Sequence, residues 1–333
     1  MSQVNWSVIA MAKMTELILA CGDYDRTRPL VDGRVPIEGR KIEVQLLPVG
    51  EMLAGAARGA FDIVEHSLAT VLMQSGLDSP YVPIPVFPSR VFRQNGIYVR
   101  SGSAFMDPTQ LAGARIGISG YTVTAMVWIR GIMAEHYGLP VDAVTYVNGG
   151  LDDPGAPPMR GAIPPPGVVV EEAPDGATLS EMLTTGELEA IYALHTPKGF
   201  HGDGAGIRRL FPDVQKVERD YFKTTGIFPL MHVLAVRRDV YEADPTIAES
   251  LATAFRRARE LAIADLADTS ALRVALPWVY KEMEEVLELL GPDYWADGIE
   301  HNVANLETFA RYAFEQGLVT WMIEPKELFA LSS

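Results

Sequence analysis

The chain alternates short apolar runs with stretches of helical period. Leu17–Cys21 (LILAC) is wholly apolar and ends in the polar turn GDYDRTRPL, as a buried strand feeding a loop would. Residues 41–47 alternate, residues 51–58 carry apolar positions at helical spacing, and residues 61–65 (FDIVE) predict a third strand. Ser67 then stands where a helix cap belongs, before LATVLMQSG. Residues 80–87 interleave proline with apolar side chains and predict extended backbone. Residues 96–99 (GIYV) predict a strand, and residues 107–113 a helical turn closed by glycine.

The most organised stretch is RIGISGYTVTAMVWIRGIMAEHY, residues 115–137. A strand at 116–118 runs through Ser119-Gly120 and a hydroxyl-rich start into a helix with Met126, Ile129, Ile132 and Met133 on its apolar side. Such a joint aims free N–H groups and the positive end of a helix dipole past the strand tip, which is a seat for an anion. Thr122 or Thr124 is expected to cap the helix. An ordinary strand–helix joint has the same pattern; arginines after the first strand add weight to the anion reading.

Further strands are predicted at 145–147 and 168–171, with a Pro/Gly-rich stretch at 148–167 between them that cannot be regular structure. It reads as a lid, an arm onto another subunit, or a solvated linker. Residues 181–196 (EMLTTGELEAIYALHT) echo residues 51–67 (EMLAGAARGAFDIVEHS). Both read helix, then strand, then a histidine and a hydroxyl, so His195 matches His66. Residues 226–236 form an apolar strand, and residues 247–266, 278–290 and 306–316 have helical period. The pattern predicts an α/β fold of two lobes, each a mixed sheet flanked by helices, with a two-stranded hinge and a helical C-terminal region. Lobe one takes residues 14–101 and 229–333, lobe two takes 102–228, and residues 1–13 form a leader outside the core. Ligands in such folds sit beyond the carboxyl ends of the strands, here in the cleft between lobes.

The 333 residues are 48% hydrophobic, with mean hydropathy +0.09, enough for one large or two medium domains with real cores. No run of about 18 apolar residues predicts a membrane span, and the start lacks the basic and apolar regions of a secretory signal. A cytoplasmic protein is expected. The one cysteine, Cys21, allows no internal disulfide and no cysteine-based zinc site, and reads as a small buried hydrophobe. The net charge of −15 and pI near 4.9 argue against nucleic acid and anionic membranes as partners. Residues 14–133 nevertheless hold 11 acidic and 11 basic residues, so the excess acid lies in the C-terminal part. Arg26, Arg28, Arg90, Arg93 and Arg130 all belong to the neutral part.

Arg26 and Arg28 follow the first strand; Arg90 and Arg93 flank the first crossing between lobes. A planar guanidinium grips a carboxylate by two parallel hydrogen bonds, each worth roughly 1.5–3 kcal/mol when shielded. Two such clamps with the 119–124 helix start suit a small dicarboxylate. The competing role is pairing with Asp23, Asp25 or Asp62, expected first of Arg28. The six histidines (His66, His136, His195, His201, His232 and His301) show no HxH or HExxH spacing, so a metal site would need distant residues. His136 and His301 read as surface groups, and His201 lies in a Gly-rich loop that fits no dinucleotide fingerprint. His66, His195 and His232 stand at strand ends or on a hinge strand, where convergence on the cleft would suit proton transfer. Glu65 and His66 must point to opposite faces of their strand, and His66 is expected to face the cleft. No nucleophile elbow, P-loop or kinase set is present.

Taken together and in order, CGDYDRTRPL, FDIVEHSLAT, VPIPVFPSRVFRQNGIYV, GISGYTVTAMVWIRGI, TGIFPLMHVLAVRRDVYE and ALPWVYKEMEE resemble the 4,5-dihydroxyphthalate decarboxylase family. The resemblance is collinear from Thr15 over nearly the whole chain. It implies a cytoplasmic offshoot of the type-2 periplasmic binding proteins and the reaction of 4,5-dihydroxyphthalate to protocatechuate and carbon dioxide in phthalate catabolism. No organic cofactor is expected, because the hydroxylated ring serves as electron sink. On this reading Arg26, Arg90 or Arg93, with Ser67, Ser119, Tyr121, Thr122 and Thr124, holds the substrate. His66 is the expected acid at carbon, with His232 or His195 on the phenol, so His66→Asn should lower kcat on the order of 10²–10⁴. A divalent metal held by Glu65 and histidines and bridging the two hydroxyls is the rival mechanism. A solute-binding protein for an aromatic or heteroaromatic carboxylate is the rival function, and an intracellular sensor is a third reading. Assembly as a homo-oligomer is expected.

Overall fold

A computed structural model describes residues 16–75, 79–155, 157, 159, 161–200 and 206–329. The expected leader, 1–13, and His201 lie outside the described residues. The first half runs β1 (Leu17–Cys21), α1 (Arg28–Val31), β2 (Ile42–Leu46), α2 (Val49–Ala57), β3 (Ile63–Ser67), α3 (Leu68–Met73), β4 (Tyr81–Arg90), β5 (Ile97–Arg100), β6 (Arg115–Ile118) and α4 (Thr124–Tyr137). Then come β7 (Thr145–Asn148), β8 (Val169–Glu172), α5 (Leu179–Thr185), β9 (Ala190–Tyr192), β10 (Ile207–Arg209), α6 (Val214–Thr225) and β11 (Leu230–Arg237). The chain closes with α7 (Arg238–Ala243), α8 (Ile247–Ala267), α9 (Val279–Leu290), α10 (Val303–Glu315) and α11 (Pro325–Leu328).

The strands form two mixed sheets. One has the order β2-β1-β3-β11-β4, the other β8-β7-β6-β9-β5-β10. In the first, β1, β2 and β3 are parallel and β11 runs against β3; in the second, β6, β7, β8 and β9 are parallel and β5 runs against β9. The two sheets therefore repeat one plan, with β3 and β9 in the same place. The sequence echo of 51–67 and 181–196 is this repeat, since each segment supplies a helix and then the last parallel strand of its sheet. Central strands are covered on both faces, which is why LILAC shows no alternation.

The chain crosses between sheets at 91–96 and at 226–229. The crossings touch: the Val91 N–H donates to the Pro229 carbonyl at 3.1 Å, and the Phe92 and Phe228 rings stack with centroids 4.7 Å apart. β5 pairs with β9 and β10, so the sequence boundary drawn at 101/102 falls one strand beyond the first crossing. The C-terminal helices also serve both lobes. α8 packs on α1 and β4, whereas α10 lies on α4 and α9 reaches α6. The α4–α10 approach depends on Gly131, where a Cβ would stand 2.2 Å from the Tyr312 ring. One apolar core runs through both lobes, taking in Phe87, Ile97, Trp128, Leu230 and Phe309. The Pro-rich stretch packs on its own chain: Pro157 accepts from Asn148 Nδ2 at 2.9 Å, and the Ile163 N–H donates to the Gly317 carbonyl. No helix of the described residues is long and apolar enough to cross a membrane.

Candidate active site

The parallel strands β1 and β3 end side by side, and their C-terminal residues build the first half of the site. Strand alternation puts Glu65 and His66 on opposite faces of β3. Glu65 lies on the face packed by α8, fully buried, and accepts three hydrogen bonds. They come from the Gly22 N–H at 2.9 Å, the Tyr24 hydroxyl at 2.9 Å and His232 Nδ1 at 2.6 Å. Burial alone would raise the pKa of Glu65, but the hydrogen bond and charge of His232, with Gly22 and Tyr24, outweigh it and hold the carboxyl below its ordinary value. An ionised carboxylate can only accept, so His232 must carry its hydrogen on Nδ1 and has Nε2 left for proton exchange. Tyr24 is held protonated well above the usual phenol range, first by burial and then by the Glu65 charge.

Arg26 closes this cluster from outside. Its guanidinium lies 4.0 Å from the Tyr24 ring centroid and 4.4 Å from that of Trp295, while Nε donates to the Pro88 carbonyl. Burial lowers its pKa, with Asp25 pulling the other way at 3.2 Å.

The second half comes from the β6–α4 joint. Ser119 Oγ is buried and has no hydrogen-bond partner among the described residues. Gly120 takes the turn at φ +99°, and its N–H donates to Asn148 Oδ1. α4 then starts without a side-chain cap. Thr124, expected to cap it, reaches across to the first lobe, where its Oγ1 lies 3.0 Å from Ser67 Oγ and accepts from the Ala69 N–H at 3.0 Å. This contact brings the carboxyl ends of both sheets together. Thr122 is buried beside it. At the hinge, Arg93 is buried, with Nε on Met231 Sδ at 3.1 Å and Nη1 on the Leu194 carbonyl at 3.4 Å. No carboxylate of the described residues is within ion-pair distance of it, and burial lowers its pKa to about 10. A buried guanidinium without a direct ion pair, with Glu218 the nearest charge acting on it, an orphaned hydroxyl and an uncapped helix start are each suited to a carboxylate.

No family model matches the chain. A 4,5-dihydroxyphthalate decarboxylase of Comamonas testosteroni is 35% identical over 321 residues, covering 96% of this chain and 97% of that one. A 4,5-dihydroxyphthalate decarboxylase of Pseudomonas putida is 38% identical over 217 residues, 65% of this chain and 84% of its own. The chain belongs to the 4,5-dihydroxyphthalate decarboxylase family. Proteins named for this activity are carboxy-lyases. In fold the family member resembles the periplasmic aliphatic sulphonate binding protein SsuA of Escherichia coli, with TM-score 0.52 at 14% identity over 96% of this chain and 92% of that one. It also resembles the desulfurization enzyme DSZB, with TM-score 0.51 at 13% identity, covering 95% and 96% of the two chains. The two-lobed architecture inferred from spacing, and the periplasmic-binding-protein-like fold implied by the resemblance, are thus the observed ones.

Four residues expected in the site are not brought into this cluster. His66 packs its ring edge-on against Tyr81 at 5.9 Å, on the α2 side of the sheet and away from Glu65, and its Nδ1 accepts from the Ser67 N–H. Arg90 is buried and turned to the C-terminal segment, donating to the Ala296 carbonyl and Asn302 Oδ1; its role there is to pin that segment. Tyr121 is buried beneath Arg130 and donates to the Gln316 carbonyl, which is a core contact. His195 is exposed beyond β9, with Nδ1 near the Thr196 carbonyl. Arg28 pairs with Asp23 at the surface, as expected. Sequence reasoning missed Tyr24, and it set Glu65 behind His66, giving it a place only in the rival metal mechanism. Tyr24 sat in view in the first polar turn. Among the described residues no group of three or more His, Cys, Asp or Glu side chains is placed to hold a metal.

Proposed function

We propose that this protein decarboxylates 4,5-dihydroxyphthalate to protocatechuate without an organic cofactor, with His232 as the proton carrier. The observation that carries the reading is the 2.6 Å His232–Glu65 pair at the buried mouth of the first sheet. In the substrate each hydroxyl is para to one carboxylate. Loss of a phenolic proton pushes electron density to the ring carbon bearing that carboxylate. Protonation there gives a dienone, the carbon–carboxylate bond breaks, and its electron pair restores the aromatic ring as carbon dioxide leaves. The ring itself accepts the electrons, so the protein has to hold the retained carboxylate, take one proton and give one proton.

Glu65 fixes the tautomer of His232, so Nε2 is the reading's acid at carbon. Arg93, Ser119, Thr122 and the start of α4 hold the retained carboxylate, and Arg26 faces the hydroxyl side through its stacked guanidinium. This revises the first assignment, in which His66 was the acid. Incubation with 4,5-dihydroxyphthalate should yield equimolar carbon dioxide and protocatechuate. The SsuA-like fold keeps a solute-binding role as the competing reading, and binding of the compound with no turnover would select it. Full activity after exhaustive chelation is expected; loss restored by a divalent ion would replace this mechanism with the metal-bridged one.

A further inference from the structure

Trp295, whose ring also carries the Arg26 guanidinium, lines a cavity of about 380 Å³ to which the proposed reaction assigns no role. It opens where the two crossings, α6 and α9 meet. Its inner wall is the stacked pair Phe92 and Phe228, with Trp295 edge-on to Phe228 at 5.4 Å. Met283 and Val286 of α9 form the opposite wall. The volume lies in the range of small-molecule pockets, about 300–1,000 Å³. Flat aromatic walls and aliphatic side chains select a ring rather than a chain.

The polar groups narrow the class further. Glu218 lies in the lining, with Oε1 accepting from the Asn95 N–H at 3.0 Å, so its carboxyl offers one more hydrogen-bonding oxygen. Glu282 and Glu285 stand at the α9 edge, and Arg219 pairs with both at 3.3 and 2.7 Å. The balance of lining charge is acidic, which disfavours a carboxylate such as the substrate or its product. We propose that this cavity is a second ligand site, for an uncharged phenol whose ring lies against Phe92 and Phe228 and whose hydroxyl meets Glu218.

The test uses 4-methylphenol as the probe and needs no turnover, so it stands or falls apart from the decarboxylase reading. Isothermal titration on the full chain should show one site whose affinity falls at least tenfold in both Met283→Trp and Val286→Trp. Nuclear Overhauser contact between the probe's ring protons and the labelled methyl of Met283 should appear in the unaltered protein, so the result does not depend on the variants folding. The 4-hydroxybenzoate anion should bind there at least tenfold more weakly, and excess 4,5-dihydroxyphthalate should leave the probe in place. No contact to Met283, equal binding of the anion, or displacement by 4,5-dihydroxyphthalate would each overturn the proposal.

Discussion

Replacing Glu65 by glutamine puts the proposed proton carrier to a direct test. The carboxylate accepts from the Gly22 N–H, the Tyr24 hydroxyl and His232 Nδ1 with two oxygens. A glutamine brings one acceptor oxygen and one NH₂. Turned towards Tyr24 and His232, its oxygen leaves the NH₂ facing the Gly22 N–H; turned the other way, it leaves the NH₂ facing His232. As long as His232 keeps its hydrogen on Nδ1, either pose sets donor against donor in a fully buried place, costing about 1–3 kcal/mol; the alternative is a switch of the His232 tautomer. The lost charge on the His232 bond adds roughly another 1 kcal/mol. Thermal unfolding should therefore fall by a few degrees, since the shift is about 2–4 °C per kcal/mol at 150–250 residues and smaller for a longer chain. The catalytic effect is separate from the stability effect. Without the carboxylate His232 loses the partner that sets its tautomer and orientation, and kcat should fall on the order of 10²–10⁴ at a temperature where the variant stays folded. Protocatechuate formation followed by absorbance measures the drop. A folded variant with kcat within threefold of the parent would refute the reasoning.

Three further outcomes follow from the same geometry. His232→Asn should lower kcat at least tenfold more than His66→Asn, since only His232 shares the Glu65 face; equal losses in a side-by-side assay would restore the His66 assignment. Thr124→Val removes the acceptor of the buried Ala69 N–H and the contact to Ser67, which should cost about 1–3 kcal/mol in chemical denaturation and raise KM more than it lowers kcat. Glu218 is pushed up from 4.5 to about 7, first by burial, with Asn95, Arg209 and Arg93 opposing. The folded state thus holds a proton that the unfolded chain releases, so this group's contribution is full below about pH 4.5 and is lost as pH rises through about 7. With its partial exposure discounted, the swing is on the order of 1–3 kcal/mol, and denaturant titrations at pH 4.5 and 8 should show Glu218→Gln closing most of it.

The fold was legible because its strands are buried on both faces and its turns carry strong punctuation. Leu17–Cys21 came out at its observed ends, and the helix now called α8 within a residue. What escaped notice was the stretch holding β10 and α6. β10 is three residues long, and α6 (VQKVERDYFKTT) buries only Tyr221, so its apolar stripe is too thin to stand out from its charges. The site was legible as a place but not as a set of side chains. Arg93 and Ser119, expected from their position in the chain, belong to the proposed carboxylate seat. Arg90 was picked the same way, yet its guanidinium meets Asn302, more than two hundred residues on, through a contact that no local pattern encodes.

The Glu65–His66 choice shows where sequence reasoning lost its footing and what could have corrected it. Alternation fixes that the two side chains oppose each other, but it leaves open which face belongs to the cleft, because that depends on where the β1–α1 loop and α8 pack. The internal echo held a usable signal. Aligning residues 51–67 with 181–196 matches His66 to His195 and Ser67 to Thr196, but Glu65 to Leu194. A residue repeated in both lobes answers to the shared strand plan, and His195 indeed lies exposed beyond β9 with no part in the cluster. A residue in one lobe only answers to something that lobe does alone. Glu65 is the one ionisable side chain of β3's last three positions that breaks the match towards charge, in a strand end that the second lobe keeps apolar. An acid buried there must have cationic or donor partners, and Tyr24 and His232 supply them from a loop and a hinge strand that only the fold brings near. The asymmetry between the lobes, more than the histidine they share, points to the chemistry.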